Sequence, residues 1–540
     1  MQCRINIPNK GKVLICKDFM SENKEILLNK DPLLKLVMKQ LFEKLGYGDL
    51  YYYIVPRFEI INKLYIKIIR MLSRVSIKNS KLSFTNESYK PKRVSIETDY
   101  LIIGDGPAGV GAALTLAEYN QRVIIIGNNN EMGGGLKIIG EYINNDESIK
   151  AGSTNSIDDL NIIKNHMKKH GEAIKRIKGE VFGIYKEKDI YVITAYSENN
   201  YYLIKAHKII IAPGIMDGWP LFVNNDLPGL IGGLGALKII NYWNFMPWHE
   251  IIIIDLNKVS LHILHSAIKM GVKRVNLIIF DDAKLKIYDS YLQTEKGLER
   301  IHIFKCDTIE KMFSGKRIKI QAYCNNKKLY INGDTAIYCG HFVPRYNLPA
   351  QAGITIEIIT DKINKMARLN VHTIDGTRTE INDIYLAGGV IGCVNPREAY
   401  ISGQLSALSA LIDSGIQINM SHNEYKNMLD KVINCKKMNE QLFTMRVLNK
   451  KLNGNEIVCP CYDVKVKDIL KALKLGLNDI ETIKRYTGIG TGECQGRICM
   501  LPTILVMNAF GVNAPNIMKI RPPIIPLPAY IIGENIYEHQ

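Results

Sequence analysis

The chain has 540 residues, of which 46% are hydrophobic and 23% are charged, and its formal net charge is +17 at pH 7. This length exceeds what a single hydrophobic core serves, so we expect roughly three or four domains. The apolar fraction is that of globular proteins and excludes an extended disordered chain. The lysines are spread along the sequence, without an arginine-rich block or a basic run interleaved with aromatic residues. We therefore expect no nucleic-acid partner.

The N-terminus, MQCRINIPNKGK, lacks the apolar core of a secretory signal. No uninterrupted apolar run reaches the roughly 18 residues that a transmembrane helix needs. These features predict a cytoplasmic protein without a transmembrane segment, whose 11 cysteines are mostly reduced. Seven of the cysteines are scattered singly, and we expect buried structural thiols there. These seven are Cys3, Cys16, Cys306, Cys324, Cys339, Cys393 and Cys435.

The segment TDYLIIGDGPAGVG predicts a dinucleotide-binding turn. Its apolar run is long enough for a buried parallel strand, and it ends at glycines spaced as G-x-G-x-x-G. Gly104 permits the tight turn, Gly106 lets the backbone approach a pyrophosphate, and Gly109 allows helix and strand to pack closely. Pro107 and Ala108 complete the motif and open a helical pattern, whose first N–H groups would face the phosphates.

The strand after this motif does not end in the acidic residue that usually holds the ribose hydroxyls. It runs instead into Gly127 and Asn128. Asn128 offers an amide that can hydrogen-bond a ribose, but without the charge assistance of a carboxylate. The glycine run that follows includes Gly134, which is a further candidate contact with the nucleotide.

A second strand–helix–strand pattern begins at about residue 249 and has the period of another nucleotide-binding domain. Its turn carries Leu256, Asn257, Lys258 and Val259 in place of glycines. Those side chains would crowd a pyrophosphate. We therefore expect a Rossmann-like domain that does not bind NAD(P)H in the usual way.

Two later glycine turns are candidates for the same cofactor. Ala212-Pro213-Gly214 closes a strand-rich stretch, and Gly388-Gly389 follows a late apolar strand. In two-dinucleotide flavoproteins such a late strand returns to the first sheet, and its following helix points at the flavin. We find no nucleophile–base motif and expect no catalytic residue in this chain, because cofactors and a partner would carry the chemistry.

The remaining four cysteines form two close pairs, Cys459-x-Cys461 and Cys494-x4-Cys499, with two helical patterns between the pairs. Four thiolates on two loops suit the tetrahedral irons of a [2Fe–2S] cluster. Structural zinc is the alternative metal, but its usual C-x2–4-C spacing fits this pattern poorly. A site without metal also stays open.

The order of these motifs resembles that of the α subunit of heteromeric sarcosine oxidases. It is also similar to the related α subunits of dye-linked L-proline dehydrogenase, opine oxidase and hydrogen cyanide synthase. The resemblance rests on GDGPAG, LFVNNDLPG, CPCYDV, KRYTGIGTGECQGRIC and RPPIIPLP, in that order. It implies an α/β flavoprotein with two dinucleotide-binding domains, Rossmann-like and of the glutathione-reductase type, and a small C-terminal helical [2Fe–2S] domain.

The resemblance also implies a division of the chain into parts. These are an N-terminal extension and linker (1–95), an FAD or dinucleotide-binding domain (96–248 and 340–415), a degenerate NAD(P)-binding-like domain (249–339), a BFD-like [2Fe–2S] domain (450–512) and a C-terminal tail (513–540).

In the resembled family the α subunit handles electrons, and a β subunit of the FAD-dependent amino-acid-oxidase type oxidises the amine. The resemblance therefore implies a hetero-oligomer in which electrons pass from a partner flavin to a nucleotide-bound flavin and a [2Fe–2S] cluster. It assigns the motif glycines to the nucleotide and the two cysteine pairs to the cluster. The alternatives are a stand-alone NAD(P)H:acceptor flavin oxidoreductase and a non-catalytic scaffold subunit that retains nucleotide and cluster.

The sequence departs from the family pattern at three positions of the first site. Asn128 replaces the ribose acid, Pro213 interrupts the usual Ala-Thr-Gly turn, and Gly389 replaces the aspartate that normally holds the flavin ribityl and phosphate. FAD, NAD and an adenine nucleotide are therefore all candidates for this site.

Overall fold

A computed structural model describes residues 3–7, 11–15, 91–133, 136, 138, 173–197, 200–294, 298–448, 452–528 and 531. Met1–Ile15 and Pro91–Gln540 form one compact unit, and every element named below lies in it. The candidate contact Gly134 and residues 16–90 of the predicted N-terminal extension lie outside the described residues.

The strands are numbered in chain order. They are β1 (Cys3–Ile7), β2 (Gly11–Ile15), β3 (Lys92–Ile103), β4 (Val123–Gly127), β5 (Ile174–Lys178), β6 (Glu180–Glu187), β7 (Ile190–Tyr196), β8 (Asn200–Ile211), β9 (Ile215–Asp217), β10 (Leu230–Gly232), β11 (Glu250–Ile254) and β12 (Arg274–Ile279). They continue with β13 (Ile301–Lys305), β14 (Thr308–Ser314), β15 (Ile318–Cys324), β16 (Lys327–Gly333), β17 (Thr335–Tyr338), β18 (Phe342–Pro344), β19 (Ile356–Asp361), β20 (Met366–Val371), β21 (Ile384–Leu386), β22 (Met445–Arg446), β23 (Ile457–Cys459) and β24 (Val464–Lys465).

The α-helices are numbered in the same way. They are α1 (Pro107–Glu118), α2 (Gly233–Leu237), α3 (Lys258–Lys269), α4 (Asp282–Thr294), α5 (Asn347–Gln351), α6 (Pro396–Asp413), α7 (His422–Met438), α8 (Glu440–Phe443), α9 (Val466–Lys474), α10 (Ile480–Thr487) and α11 (Met500–Ala509). A 3-10 turn spans Gly388–Ile391, and a π-helical turn spans Lys238–Tyr242.

The larger sheet has seven strands in the order β5-β4-β3-β8-β7-β6, with β21 paired to β8. Strands β5, β4, β3, β8 and β21 run parallel, and β6 and β7 extend the sheet antiparallel from β8. The core residues Leu101 and Ile102 are fully buried, as expected where a parallel sheet is covered on both faces. Because β21 joins β8, the prediction that the late strand returns to the first sheet is confirmed.

The two faces of this sheet are covered by different parts of the chain. Helices α1 and α6 pack against each other on the face that carries Ile102. The C-terminal segment covers the other face, where Leu101 and Ile211 share a core with Ile504 of α11. The C-terminal segment is therefore part of the core around the first sheet and not an appended module.

The second sheet is entirely parallel, with the order β10-β17-β11-β12-β13. The antiparallel strands β14, β15 and β16 pack against it. Helix α3 follows β11, and the side chain of Asn257 caps its start by accepting hydrogen bonds from Val259 N (3.0 Å) and Ser260 N (3.1 Å). These are N–H groups that a phosphate would otherwise use. No side chain caps α1 in this way.

Four of the scattered cysteines form disulfides. Cys306 pairs with Cys324, and Cys393 pairs with Cys435. The expectation of free buried thiols is therefore wrong at these four positions, whereas Cys339 is free and buried. Spacing along the chain did not reveal the partners, because the pairing of β14 with β15 and the return of α7 bring them together.

Within the described ranges, no helix is long and apolar enough to cross a membrane.

The disulfides predict a specific pattern of alkylation. In protein denatured without reductant, we expect Cys306, Cys324, Cys393 and Cys435 to resist iodoacetamide and to appear as two cross-linked peptide pairs. After reduction all four should be labelled. Cys339 serves as the internal control, since denaturation alone should expose its free thiol. Labelling of the four cysteines without reductant, read by peptide mass spectrometry, would show that the disulfides are absent.

Candidate functional site

The glycines of the first turn have different surroundings. Gly104 has φ +113°, and a Cβ on it would lie 2.1 Å from Ala212 O. A Cβ on Gly109 would lie 1.8 Å from Gly104 O, whereas one on Gly106 would meet no atom within 4 Å. Gly104 and Gly109 are therefore required by the fold, and the backbone at Gly106 faces open space where a ligand can approach.

Asp105, the residue between the first two glycines, is a buried carboxylate that sequence reasoning missed. It is 1% exposed and accepts hydrogen bonds from Asn129 Nδ2 (2.5 Å) and Arg176 Nη2 (2.7 Å). Its side chain lies over the end of β4, because a Cβ on Gly127 would be 2.2 Å from Asp105 Cγ. The absence of a side chain at position 127 therefore makes room for Asp105.

Three side chains at every second position along β5 and the start of β6 form hydrogen bonds with the loop after β4. Arg176 Nη2 donates to Asn129 O (2.6 Å), and Lys178 Nζ donates to Asn130 Oδ1 (3.2 Å). Glu180 accepts a hydrogen bond from Asn128 Nδ2. Residues two apart on extended chain face the same side, so the sequence RIKGE was the signal that could have revealed this face.

Two further glycine turns lie beside the first one, and we call the space that they border with Gly106 the cleft. In these turns Gly214 and Gly388 both adopt positive φ (+78°), and Gly214 faces open space. Gly389 lies against this turn, since a Cβ on it would be 2.8 Å from Ile215 Cγ2 and 3.4 Å from Gly214 Cα. An aspartate at position 389 therefore has no room unless the turn shifts. The structure brings Gly214 and Gly389, two of the predicted cofactor contacts, next to each other.

Asp217 and Arg345 lie where β9 pairs with β18, between the two sheets. Asp217 accepts hydrogen bonds from Leu234 N (2.8 Å) and Gly235 N (3.1 Å), and burial raises its pKa to about 6. The backbone N of Arg345 donates to Gly214 O (3.1 Å), and its Nε donates to Ile215 O (3.2 Å).

His341 lies next to this pairing and is fully buried. Its Nδ1 hydrogen-bonds Tyr338 OH (2.8 Å), and Nε2 is buried without a hydrogen-bond partner. Burial lowers the pKa of His341 to about 3, so the ring is neutral. His341 is therefore a neutral histidine inside the core.

The four clustered cysteines are brought together by the C-terminal hairpin and helices. The Sγ atoms of Cys461 and Cys494 are 3.9 Å apart. Cys459 shares hydrogen bonds with Cys461 and Cys499, and Cys494 shares them with the same two thiols. Cys459 and Cys499 are buried, whereas Cys461 is exposed.

The shared protons divide the four thiols into two kinds. Hydrogen bonds from the thiols of Cys461 and Cys499 lower the pKa of Cys459 and of Cys494. The same hydrogen bonds raise the pKa of the two donors.

Among the residues that the structure describes, no group of three or more His, Cys, Asp or Glu side chains is arranged so that it could hold a metal ion.

The thiol site is tied directly to the nucleotide cleft. Tyr346 OH donates to Gly496 O (3.2 Å), and Asn347 Nδ2 donates to Gln495 O (2.9 Å). Both residues follow Arg345, whose backbone N donates a hydrogen bond to Gly214 O. Residues 345–347 therefore join the glycine turn of the cleft to the loop between Cys494 and Cys499.

A second tie holds the strand that leads to Cys459. Trp219 Nε1 (2.8 Å) and Asn225 Nδ2 (2.8 Å) both donate to Ile457 O. Ile457 N donates in return to Asn225 Oδ1 (3.1 Å). Trp219 lies two residues after β9, so the strand that leads to Cys459 is anchored next to β9. The loop between Cys494 and Cys499 is anchored through residues 345–347, which follow β18, the partner strand of β9.

Comparison with known proteins identifies two segments. Residues 98–241 match the model of the pyridine nucleotide-disulphide oxidoreductases, and residues 453–534 match the sarcosine oxidase A3 domain. The fold is that of the pyridine nucleotide-disulphide oxidoreductases, an α/β flavoprotein fold, which confirms the predicted fold class. The matched family implies a nucleotide at the glycine loop.

Individual relatives confirm the resemblance to the sarcosine oxidase group. The chain is 25% identical over 164 residues to hydrogen cyanide synthase subunit HcnB of Pseudomonas protegens, covering 29% of this chain and 34% of that protein. It is 21% identical over 449 residues to the sarcosine oxidase α subunit of Corynebacterium sp. (strain P-1), covering 78% of this chain and 43% of the relative.

The solved structure of L-proline dehydrogenase from P. horikoshii has a similar fold. The TM-score is 0.62 at 19% sequence identity, over 82% of this chain and 81% of that one. The chain spans 34% of the cyanide synthase subunit and 43% of the sarcosine oxidase subunit.

The surroundings of the glycines predict that one alanine substitution lowers stability and that another weakens nucleotide binding. Gly109→Ala places a methyl group against Gly104 O, and we expect it to lower the free energy of unfolding by about 1–3 kcal/mol or more. Gly106→Ala meets open space, so the melting temperature should stay near that of the wild type, while ADP affinity falls roughly tenfold. Thermal denaturation and calorimetric ADP titration check both. Equal destabilisation by the two variants would contradict the assignment.

Proposed function

We propose that this chain is the electron-transfer (α) subunit of a heteromeric flavin-dependent amine or imino-acid dehydrogenase or oxidase of the sarcosine, proline or opine class. One observation carries the proposal: residues 345–347 join an open glycine cleft to a site of four gathered thiols. A redox cofactor held in the cleft would thus lie in the same rigid core as a cluster held by the thiols.

The cleft fits a nucleotide at its phosphate end. Gly106 leaves the backbone accessible, and α1 begins there without a side-chain cap. The first N–H groups of α1 would hold the phosphates, and Gly214, Gly388 and Gly389 would border the far end of the ligand. Bound FAD would supply electron acceptance and donation. Because position 389 has no room for the usual acid, NAD or an adenine nucleotide are alternative occupants.

The four thiols fit a thiolate-bound cluster in their chemistry. Cys459, Cys461, Cys494 and Cys499 supply four sulfurs from two loops, and the Sγ atoms of Cys461 and Cys494 are 3.9 Å apart. We propose a [2Fe–2S] cluster here, which would accept and pass on single electrons when bound.

The substrate oxidation itself is assigned to a partner. The cyanide synthase and sarcosine oxidase relatives carry the word subunit in their names, which supports a hetero-oligomer. We propose a β subunit of the FAD-dependent amino-acid-oxidase type, which would oxidise the C–N bond and deliver electrons to this chain. The residues of this chain then bind and position cofactors and need not move a substrate proton.

The predicted domain division is kept as part of this proposal. The dinucleotide-binding domain (96–248 and 340–415) would carry the nucleotide, the domain at 249–339 would carry none, and the segment 450–512 would carry the cluster. Capping of α3 by Asn257 supports an NAD(P)-binding-like domain that has lost its ligand.

A scaffold subunit without a redox role in the cleft is the second candidate. The specific observation in its favour is the lack of room for an acid at position 389. Analysis of the nucleotide released by acid distinguishes the two candidates. Flavin supports electron transfer through the cleft, and an adenine nucleotide alone supports the scaffold.

The thiol assignment predicts the effect of one substitution. In protein purified without oxygen, we expect about two irons per chain and the visible absorption of a [2Fe–2S] cluster. Cys494→Ser should remove that absorption, because one of four ligands is lost. The matched control is Cys339→Ala, which removes a free buried thiol outside the site and should leave iron and spectrum unchanged.

Three outcomes of that experiment are informative. Unchanged iron and spectrum in the Cys494→Ser variant would contradict the ligand assignment. One zinc and no iron in the wild type would identify a structural zinc site. Loss of absorption in both variants would indicate general destabilisation rather than loss of a ligand.

The division of labour predicts that the purified chain alone does not oxidise amines. We expect no dye reduction with proline or sarcosine as substrate, and reduction of the bound flavin only after a substrate-oxidising β subunit is added. The measurement is anaerobic absorbance during substrate titration, with dithionite reduction as the control for cofactor content. Turnover by the isolated chain would contradict the assignment to an electron-transfer subunit.

A further inference from the structure

The end of β4, where nucleotide-binding folds of this kind hold the ribose, has an unusual set of charges in this chain. Position 127 is glycine, and its space is taken by the carboxyl group of Asp105. A glutamate or aspartate there would place its Cβ 2.2 Å from Asp105 Cγ. Packing therefore excludes an acid at position 127, and position 128, where the acid is expected, carries the amide of Asn128.

Asp105 does not take over that role. It is 1% exposed, and each of its oxygens accepts a hydrogen bond, one from Asn129 and one from Arg176. The same guanidinium also donates to Asn129 O, so the ion pair fastens the loop after β4. The role of Asp105 is therefore structural: it positions the loop on which Asn128 lies.

Glu180 is a partly exposed carboxylate next to the end of β4. β4 and β5 pair with Gly127 opposite Lys178, and Gly179 N donates to Gly127 O (3.0 Å). Residue 180 therefore follows directly beyond the carboxyl end of β4. Its side chain is partly exposed, accepts the hydrogen bond from Asn128 Nδ2, and has its second oxygen 3.5 Å from Tyr196 OH.

We propose that Glu180, oriented by Asn128, binds the ribose hydroxyls of an adenine nucleotide in place of the missing acid of β4. A carboxylate accepts from both hydroxyls of a ribose and gives each hydrogen bond the assistance of its charge. Arg176 and Lys178 donate to the backbone and side chains of the loop, so the cations at this end hold the protein rather than a ribose phosphate. The proposal rests on the nucleotide site of the proposed function.

The test compares adenine nucleotides that carry a hydroxyl, a hydrogen or a phosphate at the ribose 2′ position. The full chain, dialysed free of nucleotide, is titrated with ADP, 2′-deoxy-ADP and adenosine 2′,5′-bisphosphate by calorimetry. For the wild type we expect ADP to bind roughly tenfold more tightly than 2′-deoxy-ADP. Glu180→Gln should weaken ADP binding by more than it weakens 2′-deoxy-ADP binding, because the deoxy ligand keeps only its 3′-hydroxyl contact with residue 180, so that the preference for ADP falls. Glu187→Gln, at an exposed acid on the same strand, is the matched control and should keep the preference.

The outcomes separate this proposal from the nucleotide site itself. ADP binding with an unchanged preference in Glu180→Gln overturns the role of Glu180 and leaves the nucleotide site intact. Tighter binding of the 2′,5′-bisphosphate than of ADP also overturns the role of Glu180, because Lys178 and Arg176 would then bind the ribose 2′-phosphate. Failure of the wild type to bind ADP overturns both. Asp105→Asn tests the structural role separately: it should lower the melting temperature, because Arg176 loses its charged partner.

Discussion

The segment 342–347 is the constraint on which the arrangement of the molecule depends. Its first half pairs with β9 between the two large sheets, and its second half reaches the cysteine loop. Tyr346 is fully buried, so its hydrogen bond to Gly496 is made inside the core. Most of these contacts end on backbone atoms of the neighbouring segment. The spacing between the cleft and the thiol site therefore depends on the path of the chain rather than on exposed side chains.

The nucleotide cleft shows a rearrangement rather than a simple loss of the usual charges. Asp105 fills the space over Gly127 and is neutralised by Arg176, which is the arrangement that a buried carboxylate requires. Three side chains on one face of extended chain then hold the loop after β4. The departure from the family pattern at Asn128 is thus compensated locally, whereas at Gly389 the neighbouring turn leaves no room for compensation.

The cysteines fall into three physical classes. Two pairs are oxidised in the core, and burial raises the pKa of the Cys339 thiol, which makes it unreactive. The four C-terminal thiols are free, and the Sγ atoms of Cys461 and Cys494 lie 3.9 Å apart. Two disulfides weigh against the mostly reduced cysteines that the sequence suggested for a cytoplasmic protein.

The sequence alone determined the fold class, the glycine loop, the return of the late strand and the grouping of four cysteines. The glycine loop and the close cysteine pairs depend on short-range spacing, which a sequence displays, whereas the return of the late strand was expected from the pattern of two-dinucleotide flavoproteins. The sequence did not reveal Asp105 as a buried ion-pair partner, the disulfides, or the bridge through Tyr346 and Asn347. The ion pair joins residues 71 positions apart, the disulfides join residues 18 and 42 positions apart, and the bridge through Tyr346 spans 150 positions. Only tertiary packing decides them, because a hydrogen bond or a disulfide depends on which side chains the folded chain brings within a few ångströms of each other.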